Sequence, residues 1–190
     1  MGIREEKAMI TKNKIIEAAR ILIKEKGLDN VSVDDITKEA QVAKGSFYVY
    51  YKKKEDIIND IGCMEFRYIN DEIKNMEDRN ILEILKFYYH RYQEGVLSIG
   101  REISKCWLQN NLNCRCKIEY DYNTISDILI NAIKKNELNE DTNVTALTYK
   151  IMSNLYGLTL IWIMSNGSIK DEGEELNVQV EDILIPYLKR

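Results

Sequence analysis

One proline and nine glycines among 190 residues leave this chain few places to reverse tightly, and that scarcity limits its architecture more than any other feature. Sheets depend on hairpins whose two-residue turns draw on Asn-Gly, Asp-Gly or Gly-rich pairs between alternating apolar runs. No Asn-Gly or Asp-Gly pair occupies such a position. Apolar residues recur instead at steps of three and four, the spacing that lines one face of a helix. The expected fold class is all-α, with about nine helices.

A hydrophobic share of 45% beside 31% charged residues gives those helices a core to bury. No apolar run approaches the roughly 18 residues of a membrane helix. The first 25 residues carry charge at helical spacing, unlike a secretory leader. A cytoplasmic protein with no membrane partner is expected.

From Thr11 to Lys26, the residues Ile15, Ile16, Ala19, Leu22 and Ile23 form one stripe, and Gly27 stops it as a left-handed cap would. Val31-Ser32-Val33-Asp34-Asp35-Ile36 then opens a second helix. Ser32 is placed as N-cap with Asp35 three residues on, and Val31 and Ile36 are placed as a hydrophobic staple. This helix ends near Ala40, and Gln41-Val42-Ala43 separates it from the segment Lys44 to Tyr51. Two short helices around such a turn make a helix-turn-helix, whose second helix lies in the major groove of DNA. Glu55-Asp56-Ile57-Ile58 opens a longer helix to about Asn75, and further helices are expected at 80–98, 101–111, 114–136, 142–166 and 174–189. The domain limits follow: 1–55 for the small N-terminal domain and 56–190 for the larger helical one.

Charge supports a division of labour. Residues 1–56 hold 12 Lys/Arg against 10 Asp/Glu, and the remainder 15 against 21, so only the first part suits a polyanion. Lys44 stands at a helix start, where the macrodipole disfavours a cation by about 0.3–1 kcal/mol unless an anion arrives. Lys53 and Lys54 stand the same way at the head of the next helix, beside backbone N–H groups expected to be free. Gly45 has no Cβ to hold the backbone off a phosphate or a groove wall. Tyr48 and Tyr50 offer phenolic donors to phosphate oxygens, whereas Phe47 and Tyr51 fit core positions. Ser46 and Val49 are short enough to touch base edges or a thymine methyl.

The run Ile15-Ile16-Glu17-Ala18-Ala19, Gly27, Val31 to Ile36, Val42 to Tyr48 and Tyr51 to Ile57 resembles the N-terminal domain of TetR-family transcriptional regulators. The resemblance covers about the first 60 residues and implies a helix-turn-helix DNA-binding domain followed by a ligand-binding and dimerisation domain. It implies a homodimeric repressor released from a palindromic double-stranded DNA operator by a small-molecule effector, with no cofactor. It assigns Ser32, Thr37, Lys44, Tyr48, Tyr50 and Lys54 to the DNA backbone, with Gly45, Ser46 and Val49 the better placed for base readout. Two positions depart from the family pattern: Gln41 stands where glycine is frequent, at a turn that wants a left-handed backbone, and Ala43 replaces a serine cap.

Val144 to Asn166 is apolar on nearly every side, as is a helix between two partners. The resemblance implies that the last two helices pair with their copies, giving Met152, Tyr156, Leu160, Ile163, Val180, Ile183, Leu184 and Tyr187 as the dimer interface. A buried core helix of a monomer is the alternative. Aromatic residues crowd the middle of the chain, and Tyr68, Tyr88, Tyr92, Trp107, Tyr122 and Tyr149 are the candidates to contact an effector. Cys114 and Cys116, with His90 far upstream, lack zinc-site spacing, so no metal is expected. No nucleophile elbow, phosphate-cradling glycine loop or HExxH occurs, so no catalytic residue and no enzyme activity is expected. Two other readings use the same fold: a helical adaptor without DNA, and a thiol-based redox regulator.

Overall fold

The computed structural model describes the backbone of residues 2–76, 78–111, 116–168 and 173–189, and their side chains except at positions 3, 63–68, 70, 110, 111 and 116–120. Nine α-helices run through these residues: α1 (Ile3–Lys26), α2 (Val33–Glu39), α3 (Lys44–Tyr50), α4 (Ile57–Lys74), α5 (Ile81–Ile99), α6 (Arg101–Asn111), α7 (Cys116–Lys134), α8 (Val144–Met164) and α9 (Gly173–Leu184). Among the described residues the one extended pairing is an isolated bridge between Leu138 and Leu188. Two compact units result, Met1–Glu65 with Ser98–Asn110, and Phe66–Leu97 with Asn111–Arg190.

In the first unit, the stripe read from the sequence becomes the core. Ile15, Ile16, Ala19, Leu22 and Ile23 of α1 are buried together with Val31, Ile36, Phe47, Tyr51, Ile57, Ile58 and Ile61. Each such aliphatic side chain removed from water contributes about 1.5–3 kcal/mol. α1 starts at Ile3, eight residues before the expected Thr11. Residues 4–10 are exposed, so no apolar stripe marks them. Glu5 reaches back to the Gly2 amide at 2.9 Å instead, and acidic residues in the first turn suit the dipole. Gly27 ends α1 at positive φ, 77°, as the sequence suggests, but with ψ 153° it lies outside the left-handed helical region, a backbone that calls for glycine.

Lysines and glycines tie later elements onto this core. Lys24 Nζ donates to the Ser98 carbonyl near the end of α5 at 2.9 Å. α4 and α6 approach closely at Gly62: a Cβ there would lie 2.5 Å from Cδ1 of Trp107, whose side chain is buried.

The second unit packs α7 against α8, with Ile125, Leu129 and Ala132 buried on one and Leu147, Ile151 and Leu155 on the other. Asn143 caps α8 by accepting the Ala146 amide at 3.0 Å. Lys86 of α5 pairs with Glu181 of α9, and His90 Nε2 lies 3.1 Å from Asn177 Oδ1. α9 stops at Leu184, short of the expected 189, because Pro186 brings no N–H to continue it and a 3₁₀ turn, Ile185–Tyr187, takes over. α8 is not buried all round within the chain. Leu147, Ile151, Leu155 and Trp162 face inward, while Tyr149, Leu160, Ile161 and Met164 face solvent.

Gly62→Ala is expected to destabilise the protein by about 1–3 kcal/mol, because the indole has no open end to swing aside. Urea unfolding measures this. Pairing the change with Trp107→Leu should give a double variant whose loss is smaller than the sum of the two single losses.

Candidate nucleic-acid interface

α2 begins as the capping rule requires. Ser32 Oγ accepts the Asp35 amide at 3.1 Å, and Asp35 Oδ2 accepts the Ser32 amide at 2.9 Å and its hydroxyl at 2.6 Å. The Ser32 hydroxyl bond, followed by its amide, holds the Asp35 carboxyl below the usual aspartate range. The turn then passes through Gln41 at φ 55°, the left-handed conformation read from its position. α3 follows with Ala43 as N-cap and no side-chain hydrogen bond there.

α3 has two distinct sides. Phe47 and Tyr51 point inward, with ring centroids 5.3 Å apart, and the Tyr51 hydroxyl donates to Asp60 Oδ2 at 2.6 Å. Burial first, and then the Asp60 carboxylate, pushes the Tyr51 phenol well above its ordinary range, so it stays a donor. Lys12 Nζ holds the same carboxylate at 2.7 Å. The other side faces solvent: Val49 is 75% exposed, Tyr48 is 52% exposed, and a Cβ on Gly45 would meet no atom within 4 Å. Ser46 is half-buried beside them. Internal packing therefore does not dictate Gly45, Tyr48 or Val49.

Lys44, at the first position of α3, meets Asp34 of α2 at 2.8 Å, and that hydrogen bond raises its ammonium above the ordinary lysine range. Both side chains are exposed, so water screens the pair and it is readily exchanged for a phosphate. Lys53 is exposed, and none of the described bonds engages its ammonium.

Three of the expected DNA contacts make hydrogen bonds within the fold. Lys54 Nζ donates to the carbonyls of Leu28 at 2.7 Å, Val31 at 2.9 Å and Asp29 at 3.3 Å, which occupies its donors inside the fold. Tyr50 donates its hydroxyl to the Ala8 carbonyl of α1 at 2.9 Å. Thr37 is buried and bonds the Val33 carbonyl of its own helix at 3.0 Å. The amides at Lys52 and Lys53 are not free either, since Asp56 Oδ2 accepts both at 3.1 Å. An acid three residues into a helix start signals that cap in the sequence; the Asp34–Lys44 pair spans a turn and has no local signal.

The effector candidates separate. Tyr88, Tyr92 and Tyr156 gather in the core of the second unit, with ring centroids 6.4 Å apart for the first pair and 6.3 Å for Tyr92–Tyr156, and Tyr156 donates to buried Asp121 at 2.7 Å. Trp107 belongs to the first unit, beneath Gly62. Tyr122 and Tyr149 meet as a tilted pair, ring centroids 5.6 Å apart, on the outside, with Tyr149 56% exposed. The side chain of Tyr68 lies outside the described residues, as do those of Cys63, Cys114 and Cys116. A half-open cleft of about 580 Å³ lies elsewhere in the second unit, lined by Ile73, Arg79, Ile81, Asp127 and Ile128 among others, and by none of the five candidates among the described residues.

Most of the dimer candidates are turned into the chain's own core. Val180, Leu184, Ile183, Met152 and Ile163 are buried within the chain itself, and Tyr156 is bonded inward. Tyr187 is half-buried with Lys150 Nζ 5.6 Å from its ring. Leu160 alone of the eight is exposed, and it shares its surface with Ile161 and Met164. Among the described residues no group of three or more His, Cys, Asp or Glu is placed to hold a metal ion, and no helix is long and apolar enough to cross a membrane.

Residues 15–61 match the family model described as bacterial regulatory proteins, tetR family. The chain is 43% identical over 61 residues to YvdT of Bacillus subtilis, an HTH-type transcriptional regulator, a match spanning 32% of this chain and 31% of that protein. It is 28% identical over 164 residues to the fatty acid metabolism regulator protein of the same species, covering 80% of this chain and 84% of the relative. Thermus thermophilus FadR, a TetR-family repressor solved with lauroyl-CoA, superposes with a TM-score of 0.71 at 21% identity over 94% of this chain and 96% of its own. The helical architecture is thus that of solved TetR-family repressors. The likeness to the tetR family of bacterial regulatory proteins is thus carried by the helix-turn-helix segment, residues 15–61.

Proposed function

We propose that this protein is a cytoplasmic transcriptional repressor that grips a palindromic DNA operator as a homodimer and lets go when its helical domain takes up a small-molecule effector. The observation that carries the reading is the outer side of α3, where Gly45, Tyr48 and Val49 stand clear while Phe47 and Tyr51 anchor the same short helix from within. A helix so held fits a major groove without disturbing the core. Val49 and Ser46 are assigned to base edges, and Ser32, Lys44, Tyr48 and Lys53 to the DNA backbone. The DNA-binding domain takes in residues 1–55 and the effector and dimerisation domain residues 56–190.

The partner copy covers the exposed stripe Leu160, Ile161 and Met164 of α8 with Val178 and Ile185 nearby in sequence on and after α9. Apolar side chains at 48%, 50%, 74%, 54% and 60% exposure are what a two-fold helical interface would remove from water. Two-fold symmetry presents two α3 helices to half-sites about one helical turn, roughly 34–36 Å, apart. The effector reading draws on relatives solved with lauroyl-CoA and triclosan. A ligand releases DNA only if it favours one arrangement of the dimer over another. The thiol-based alternative loses support at Cys106, whose half-buried thiol is pushed up by burial and then by Glu102, away from the reactive thiolate.

Three outcomes test this reading. Val49→Glu, at a site open to solvent, should leave the unfolding midpoint nearly unchanged and weaken binding to a duplex from upstream of its own gene by about 10- to 100-fold, read by fluorescence anisotropy at fixed salt. Retained affinity removes α3 from the groove. Leu160→Glu should shift the protein from dimer to monomer in analytical ultracentrifugation; a variant that stays dimeric places the interface elsewhere. Asp34→Asn, which takes a carboxylate away from the phosphates and frees Lys44, should tighten operator binding severalfold and steepen its dependence on salt.

A further inference from the structure

The ammonium of Lys54 carries three N–H groups, and three carbonyls surround it: Leu28, Asp29 and Val31. No donor remains for an outside acceptor. The segment it holds is short and sits between two structural stops. Gly27, at φ 77°, ends α1, a 3₁₀ turn covers Leu28–Asn30, and Ser32 starts α2. Lys54 itself lies more than twenty residues later, in the 3₁₀ turn Lys54–Asp56 that leads into α4. The side chain therefore ties the turn that precedes α2 to the lead-in of α4. It joins the residue before the α2 cap to the lead-in of α4, while α3 lies between those two points in the chain. Asp56 fixes the same lead-in through the Lys52 and Lys53 amides, so both sides of the joint are determined. Bonds from a charged donor are about twice as strong as neutral ones, and breaking three to reach a phosphate is not repaid by one contact.

We propose that Lys54 is a positioning residue for operator recognition: it clamps the 28–31 turn to the head of α4 and so sets the angle at which α3 is presented, without touching DNA. The proposal rests on the DNA-binding reading. A residue that grips a phosphate and one that aims a helix leave different traces in salt dependence. Each phosphate neutralised contributes about 0.9 to the slope of log affinity against log salt concentration, and an aiming residue contributes nothing.

The test has two arms. In the first, the free wild-type chain is acetylated briefly and each lysine is read by mass spectrometry. Lys54 should label far more slowly than Lys52 and Lys53. Labelling at the same rate as those neighbours would overturn the proposal. This arm needs no DNA, so it stands even if the chain selects no duplex, which would defeat the DNA-binding reading instead. The second arm uses a duplex selected from a random pool by the wild-type protein. Lys54→Met should bind it about tenfold or more weakly with an unchanged salt slope, whereas Lys53→Gln should lower the slope by about 0.9 per protomer. A shallower slope for Lys54→Met, or an affinity equal to wild type, overturns the assignment. If Lys54→Met fails to fold, protection of Lys54 from acetylation by the bound duplex decides in its place: no added protection supports the clamp, and new protection rejects it.

Discussion

Every helix leaves its first amides and last carbonyls without partners, and an all-helical chain of this size has many such ends to satisfy. The solution here is side chains, several of them charged and several remote in sequence. Ser32 and Asp35 close the head of α2, Asn143 closes α8, and Glu137 accepts the Ile81 amide at the head of α5. Lys24 and Lys54 do the converse for carbonyls at the end of α5 and around the 28–31 turn. The remote bonds, from Glu137, Lys24 and Lys54, satisfy termini and fix tertiary structure at once, because each ties an end to an element elsewhere in its own unit. A fold with one proline and few tight turns relies on such ties to set where helices stop and how they lie.

Positions of helices were legible in the sequence because their signal is local. The 3.6-residue stripe, the Ser32–Asp35 cap and the punctuation at Gly27 and Gln41 each act within a few residues, and α2, α3 and α4 begin where those signals put them. The start of α1 was not legible, since its first two turns bury nothing that periodicity detects. Direction was harder than position. Lys54, Tyr50 and Thr37 are of the residue types that hold phosphates, yet each bonds a carbonyl within the fold. A carbonyl offers a lysine or a tyrosine the same lone pairs a phosphate does, and residue type cannot tell the two apart.

The same limit governs the apolar stripes. Val180 and Leu184 belong to the inner side of α9, and Leu160 and Met164 to the outer side of α8. An intermolecular surface and a core both call for leucine and methionine at helical spacing, and only packing separates them. Aromatic residues follow suit: Tyr88, Tyr92 and Tyr156 surround Asp121 inside, while Tyr122 and Tyr149 pair outside.

The backbone at Gln41 carries a consequence for how this turn tolerates change over time. A side chain at φ 55° costs on the order of 1 kcal/mol relative to glycine. Glycine there would also give the unfolded chain more freedom, a penalty of about 0.4–1 kcal/mol. The two nearly cancel, leaving the position thermodynamically indifferent between the two residues. Selection at 41 is then free to act on what an exposed amide side chain offers just ahead of α3 rather than on folding.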